Sequence, residues 1–300
     1  MVNRALASAI GLAVDRAFGE PPDAVHPVAG FGALMEQVER RVYRDDRAAG
    51  AAYAAIGLLV GTAAGAVVRK PTAAVAITAA GRQLRRVAGE VGAALAAGDL
   101  DAARERMPAL VGRDPAGLDA SGLAAATIES VAENTVDAVV APTLYAVLAG
   151  APGAFAYRAV NTMDAMVGHR SERYERFGWA AARLDDVANY VPARITALLV
   201  AAMRPARARA VLHAVATQAH AHPSPNAGVA EAAFAAALGV ELGGPLRYGD
   251  REEVRPLLGT GPRPQPFDVR RAIALASHVE LALSAGLTVA SIARRKRGAR

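Results

Sequence analysis

The chain has 300 residues, no cysteine and a formal net charge of +6; 53% of it is hydrophobic but only 5% is aromatic. Without cysteine there is no disulfide framework, thiolate zinc site, iron–sulfur cluster or cysteine nucleophile. A charged fraction of 21% argues against disorder. An apolar surplus made mostly of alanine suits close-packed helices better than a β-sandwich.

In chain order, strand signals are weak, and alanine-rich helical stretches recur between Gly/Pro breaks, so the sequence reads as all-α. Five stretches are apolar enough to consider for a membrane: residues 5–14, 51–68, 138–160, 187–203 and 272–293. The first follows Arg4 like a signal peptide, but Asp15 and Arg16 come at once and no small-residue cleavage site follows, so cleavage is not expected. Residues 51–68 carry no charge and approach the roughly 20 residues that cross the hydrocarbon. Residues 138–160 contain Gly150-Ala151-Pro152-Gly153, a turn signal inside an apolar run. It predicts a re-entrant helical hairpin there instead of one crossing. Residues 187–203 are expected to dip in and return along the arginine-rich stretch that follows. Residues 272–293 are long enough to span but carry His278 and Glu280.

Basic residues follow three of these stretches: Arg69, Lys70, Arg82, Arg85 and Arg86; Arg204, Arg207 and Arg209; Arg294, Arg295, Lys296, Arg297 and Arg300. That is the positive-inside pattern of cytoplasmic loops. The positive charge is therefore read as membrane orientation. No aromatic-interleaved basic patch supports nucleic acid. The competing reading is a soluble core of buried alanine-rich helices. The expected architecture is one domain over residues 1–300: an integral membrane helical protein with embedded and re-entrant helices and cytoplasmic helical loops, multi-pass in the inner membrane.

Three polar blocks carry the chemistry. In the first, Asp119 or Ser121 caps a helix on which Glu129, Glu133 and Asp137 fall at i, i+4 and i+8, with Ser130 and Asn134 beside them. Like charges at that spacing repel, so three in a row near a membrane need an arginine or a metal. Carboxylate and amide oxygens suit Mg²⁺; the bland alternative is a solvated helix face. The second block holds Asn161, Asp164, His169, Arg170, Arg173, Arg183, Asp185, Asp186, Asn189 and Arg194 between apolar segments. Polar groups near a bilayer are costly and functional by default. Arginines bind phosphates or carboxylates bidentately. Asp186 and Asn189, three apart, form a second oxygen pair, while pairs such as Glu172–Arg176 read as surface ion pairs. In the third block, Pro223 and Pro225 stiffen a turn before a helix that includes Glu231. His222 reads there as a substrate contact ahead of a metal pair with His220. The bland reading is a rigid loop capping a helix. There is no GxxxxGK[ST], HExxH or GxSxG.

Taken together, the stretches GRDPAGLD (residues 112–119), ESVAENTVDAVVAPTLYA (129–146), AYRAVNTMDAMVGHRSERYERFGWAAARLDDVANYVPARITALL (156–199) and HPSPNAG (222–228) resemble the CobD/CbiB family of cobalamin-biosynthesis membrane proteins, the adenosylcobinamide-phosphate synthases. LGGPLRYG (242–249) and the turn from Gly19 to Gly32 also fit. Glu20 stands where an aspartate is commoner, and His169 where a tyrosine is.

The resemblance implies an ATP- and Mg²⁺-dependent ligase that joins adenosylcobyric acid to aminopropanol or its O-phosphate through an amide. In that setting Glu133, Asp137 and Asp186 are expected to hold Mg²⁺ on ATP, and Arg113, Arg170, Arg173 and Arg183 to contact phosphates. Asp164 or Glu129 is expected to act as the base. Asn134, Asn161, Asn189, His222, Ser224 and Asn226 are expected to orient substrate. Cytoplasmic ATP requires every motif block on the cytoplasmic side. Close packing of small residues also allows a homodimer. The alternatives are a non-catalytic sensor like the related AmpE, an inner-membrane protein, and a corrinoid transporter. The intact acidic and arginine motifs speak against the first, the shortage of full spans against the second.

Overall fold

The computed structural model describes residues 3–21, 26–111, 115–169, 171–248 and 251–298, without the side chains of residues 245–253 and 295–298. Among these the order is α1 Arg4–Phe18, α2 Pro27–Val42, α3 Arg47–Val68, α4 Pro71–Thr78, α5 Gly81–Ala96, α6 Leu100–Arg106, α7 Ala120–Thr135, α8 Ala141–Met163, α9 Trp179–Met203, α10 Ala208–Thr217, α11 Ala227–Leu238, strands β1 Glu241–Tyr248 and β2 Arg251–Gly259, and α12 Pro266–Gly298. The chain divides into two compact units, residues 1–80, 137–192 and 283–300 in one, and residues 81–136 and 193–282 in the other.

The architecture is that of an all-α membrane protein. Among the described residues, three helical stretches are long and apolar enough to cross a membrane: Arg47–Val68, Ala120–Gly168 and Pro266–Arg294. Two π-helical turns, Val136–Val140 and Asp164–Gly168, flank α8. Such turns often sit at functional sites, and here they carry Asp137 and Asp164.

In the first unit, α8 is not a straight rod. Gly150 adopts φ 72°, ψ −155°, and Pro152 follows. Glycine takes a positive φ at no steric cost, and the proline cannot donate into the preceding turn. The chain reverses there. The rings of Tyr145 and Tyr157 stack at 5.3 Å, where twelve residues of straight helix would separate them by about 18 Å. A Cβ on Gly153 would lie 2.5 Å from the Tyr145 carbonyl oxygen. The chain reversal expected at Gly150 is therefore present.

The second limb of this hairpin packs on α3 through a small-residue stripe. An added Cβ at Gly57 would strike Met163, at Gly61 would lie 2.6 Å from the Ala159 Cβ, and at Gly65 would lie 2.5 Å from Ala151 and Pro152 backbone atoms. Glycines every fourth residue let two backbones approach, which gains dispersion where lipid gives no hydrophobic drive. Below the stripe, Met35, Tyr53, Val160, Met163, Val167 and Phe177 form a buried cluster. This joins α2, α3, α8 and the segment leading to α9.

In the second unit, α7 and α11 are the buried helices. Asp119 N-caps α7, accepting the Gly122 N–H at 2.7 Å, while the Ser121 hydroxyl donates to the Pro264 carbonyl at 2.8 Å. Of the two capping candidates, Asp119 is the cap. Residues Gly228 to Leu238 of α11 are all buried, including Glu231. One feature departs from a purely helical reading: β1 and β2 pair as an antiparallel hairpin, Glu241 opposite Gly259 and Leu242 opposite Leu258. Its Gly-Gly-Pro content hid it from period-two alternation; Gly243 and Gly244 take φ 85° and 95° at an irregularity in the register.

Candidate functional site

Two polar constellations form, one within each unit. In the first unit, the π-turn after α7 presents Asp137, the second limb of α8 presents Tyr157 and Asn161, and α9 presents Asp185 and Asn189. The Asn161 amide donates to Asp137 Oδ2 and to Asp185 Oδ1, each at 3.3 Å. The Asn189 amide donates to Asp185 Oδ2 at 3.0 Å. The Tyr157 hydroxyl reaches Asn189 Oδ1 at 2.8 Å and Asp137 Oδ1 at 3.4 Å. Two carboxylates from distant parts of the chain are thus bridged by carboxamides and a phenol.

Burial pushes the Asp185 carboxyl above the usual range, while hydrogen bonds from Asn189 and Asn161 pull it back. Burial also raises Asp186, opposed by the charge of Arg183, whose Nη1 lies 3.6 Å from it. Asp164 sits in the field of both aspartates. Its carboxylate covers Gly168, where a Cβ would fall 1.9 Å from Oδ1. Only glycine leaves that space.

In the second unit, α7, the loop before α11, α11 itself and β2 converge. His222 Nε2 and Arg255 Nη1 each lie 3.5 Å from Glu231 Oε1, and Arg255 Nη1 lies 3.3 Å from the His222 ring and 3.9 Å from Glu133 Oε1. Glu231 is wholly buried, and neither carboxylate oxygen has a hydrogen bond among the described residues. Burial holds this carboxyl well above the ordinary range, reinforced by Glu133 and Glu129. Burial, with the nearby Arg255 charge, lowers His222. Glu129 accepts the Gly243 N–H at 2.9 Å and so anchors the β-hairpin.

The sequence-chosen residues sort accordingly. Asp137, Asn161, Asp164, Asp186, Asn189 and Arg183 fall in the first unit's constellation or at its edge. Glu129, Glu133 and His222 fall in the second unit's. Of the three expected metal ligands, Glu133 belongs to the second unit and Asp137 and Asp186 to the first. Asn189 pairs with Asp185, four residues back, although the spacing of three to Asp186 also brings side chains together on a helix.

Others have structural partners. Arg173 pairs with Glu39 at 2.9 Å and lies over the Tyr43 ring at 4.1 Å. The Asn134 amide donates to the Ser130 carbonyl at 2.9 Å, one turn back. Ser224 accepts the Asn226 and Ala227 N–H groups at 3.3 and 3.2 Å, and the Arg194 guanidinium donates to Asn226 at 2.9 Å. The capping reading of that loop holds for Ser224. Arg113 and Arg170 lie outside the described residues.

Sequence reasoning passed over Tyr157, Glu231 and Arg255 as site residues. It named Asp185 but preferred Asp186. The spacing of Asp185 to Asn189 was a usable signal for one of them; nothing local marked the other three.

Among the described residues, no group of three or more His, Cys, Asp or Glu side chains is arranged to hold a metal by itself. Mg²⁺ on a nucleotide needs less, because it takes one or two carboxylates and draws its remaining ligands from phosphates and water. Asp137 and Asp185, both engaged by Asn161, are hard oxygen donors that fit this requirement.

Comparison with known proteins fits this picture. The sequence profile described as CobD/Cbib protein matches residues 8–276. A protein named cobalamin biosynthesis protein CobD from Mycobacterium tuberculosis is 47% identical, covering 98% of this chain and 97% of its own length. Proteins of the same name from Chromobacterium violaceum and Rhodobacter capsulatus are 43% and 42% identical, covering 97% and 91% of this chain and 99% and 93% of their own lengths. No solved structure matches. With a profile match over most of its length and relatives this similar from end to end, the chain belongs to the CobD/CbiB family.

Proposed function

We propose that this chain acts in cobalamin biosynthesis, the role for which its relatives are named, as an ATP-dependent ligase. It would join adenosylcobyric acid to (R)-1-amino-2-propanol or its O-phosphate through an amide. The observation that carries this reading is the Asp137–Asn161–Asp185–Asn189 network. It is a hydrogen-bonded set of carboxylates inside an apolar helical unit, where such groups are costly to keep without a task.

A carboxylate does not form an amide until it is activated. Transfer of the ATP γ-phosphoryl group to a carboxylate oxygen gives ADP and an acyl phosphate. The amine nitrogen then attacks the carbonyl carbon, phosphate leaves with the C–O electrons, and the nitrogen gives up a proton. Catalysis of the first step is chiefly positioning and charge neutralisation. Asp137 and Asp185 would hold Mg²⁺, with Asp186 beside them; the ion would supply positive charge against the phosphates. Arg183 is well exposed and only loosely held at Asp186, so its guanidinium is available to a phosphate. Asn161 and Asn189 fix the orientation of the carboxylates.

Of the two candidate bases, Asp164 is favoured. Glu129 is engaged by the Gly243 N–H, whereas Asp164 lies beside the carboxylate network. Cytoplasmic ATP places this network on the cytoplasmic side of the inner membrane, with the Gly150 hairpin re-entering from that side.

The test is amide formation by detergent-purified protein with adenosylcobyric acid, Mg-ATP and either amine, read by mass spectrometry. An ATP-dependent corrinoid amide supports the reading and names the amine. Folded protein that binds corrinoid but yields no product with either amine points to the AmpE-like sensor instead.

A further inference from the structure

Two tyrosines without a role in the proposed ligation grip α9 at consecutive residues. Both come from α8. The reversal at Gly150 lays one limb of that helix on the other, so Tyr145 and Tyr157 stack with their ring planes 12° apart. All of these residues belong to the first unit.

Each hydroxyl meets a need that α9 creates. Pro192 stands inside α9 and has no N–H for the carbonyl four residues back, that of Ala188. The Tyr145 hydroxyl donates to this carbonyl at 3.1 Å in its place. One residue on, the Tyr157 hydroxyl donates to Asn189 Oδ1 at 2.8 Å. A phenol has a single proton, so its contact with Asp137 at 3.4 Å is the weaker one. Tyr157 and Asn189 are both buried, where water does not replace a lost partner.

A carboxamide has a donor end and an acceptor end, and its direction decides what a neighbouring carboxylate meets. With its oxygen on Tyr157, Asn189 turns its NH₂ to Asp185 Oδ2 at 3.0 Å. Turned over, it would set an oxygen against that carboxylate. Asn161 is fixed in the same sense by a different donor. Arg158 Nη1 holds its Oδ1 at 3.2 Å, and its NH₂ reaches Asp137 and Asp185.

We infer that Tyr145 and Tyr157 are positioning residues: they hold Ala188 and Asn189 of α9 so that Asp185 faces Asp137 with lone pairs free for a divalent cation. Asp137 and Asp185 enter here as the carboxylates that hold Mg²⁺ in the proposed ligation, on which the assignment rests. Neither tyrosine binds the ion; both act through α9. Partners of this kind, one step behind the ligands, set metal affinity by orienting them.

Mn²⁺ stands in for Mg²⁺, because its uptake is read directly by electron paramagnetic resonance. It is titrated into the full chain in detergent, first alone and then with a non-hydrolysable ATP analogue. The expected result is one Mn²⁺ per chain in the parent, lost in Asp185→Asn. Tyr157→Phe and Asn189→Ala are each expected to weaken binding about tenfold or more. The double variant should be no weaker than the worse single one, because both remove the same linkage. Tyr145→Phe keeps the stacked ring and should weaken binding severalfold. In turnover, both tyrosine variants should raise the Mg²⁺ concentration for half-maximal rate and leave the rate at saturating Mg²⁺ near the parent's. Lower stability alone does not produce that split. The assignment is overturned if the parent takes up no Mn²⁺ under either condition, if the folded tyrosine variants bind as the parent does, or if the losses in Tyr157→Phe and Asn189→Ala add. Should Tyr157→Phe not be recovered folded, parental affinity in Tyr145→Phe overturns it by itself. Weakened Mn²⁺ binding in the variants, with no amide formed by the parent, would refute the proposed reaction and leave the positioning role standing.

Discussion

The carboxylates of the two units are kept in different ways. In the first unit Asp137 and Asp185 are bridged by the carboxamides of Asn161 and Asn189 and by the Tyr157 hydroxyl. In the second, Glu231 sits among a histidine, an arginine and further glutamates at distances too long for good hydrogen bonds. Neutral donors oppose the rise that burial brings to a carboxyl and leave lone pairs for a cation, whereas burial beside further carboxylates pushes Glu231 well up. The first arrangement suits binding and charge neutralisation; the second suits a proton-holding core that fixes α7, α11 and the hairpin.

The sharpest way to break this contrast is to remove charge on each side. Asp185→Asn is expected to lower amide formation about 100-fold or more, the scale of losing one preorganised electrostatic group. Asp186→Asn is expected to cost about tenfold or less. Equal losses in steady-state turnover would erase the distinction between the two aspartates.

Next in size is the scaffold beneath the first network. Gly61→Val thrusts a side chain at Ala159 and Phe155 and is expected to cost about 1–3 kcal/mol, as overpacking does, read as a lower unfolding temperature in detergent. An unchanged temperature would mean that α3 and α8 do not depend on the glycine stripe.

For the second unit, Glu129→Ala leaves the Gly243 N–H without its acceptor and is expected to cost about 1–3 kcal/mol. Glu129→Gln keeps an acceptor and should recover most of it. If both variants are equally unstable, the charge of Glu129 matters more than its hydrogen bond.

The smallest effect is a pH dependence. The folded state raises the Glu231 carboxyl above its ordinary value of 4.5. The stability it contributes is therefore complete below that value and drains away as pH rises towards the folded one. Glu231→Gln cannot lose the proton, so its stability relative to the parent should improve between about pH 5 and about pH 8. His222 works in the opposite sense. Its pKa is lowered from 6.5, so its contribution is complete above that value and is lost as pH falls from there through the lower folded one. A flat difference between Glu231→Gln and the parent across this range would mean that Glu231 is already ionised in the folded protein.

Much of this was legible in the amino-acid order. Gly150 and Pro152 announced a chain reversal because their backbone constraints are local. Asp119 announced a helix start for the same reason. Residues 51–68 read as a candidate span from composition alone, and the acidic and carboxamide residues of the first network stood out because they interrupt apolar runs. Asp186 was preferred over Asp185 because it stands three residues before Asn189, and i, i+3 and i, i+4 spacings both bring side chains together on a helix. Which of them turns towards Asn161 depends on how α9 packs.

The sequence by itself thus determined helical class, membrane character, family and the short list of polar residues, since periodicity, caps and breakers act over a few residues. Only the tertiary structure decided the partners. It joined Asn161 to both Asp137 and Asp185, put Arg255 beside His222 and Glu231, tied Glu129 to Gly243, and occupied Arg173 with Glu39. These contacts link residues 24 to more than 130 positions apart in the chain. Their geometry follows from how helices pack, which no local pattern of side chains encodes.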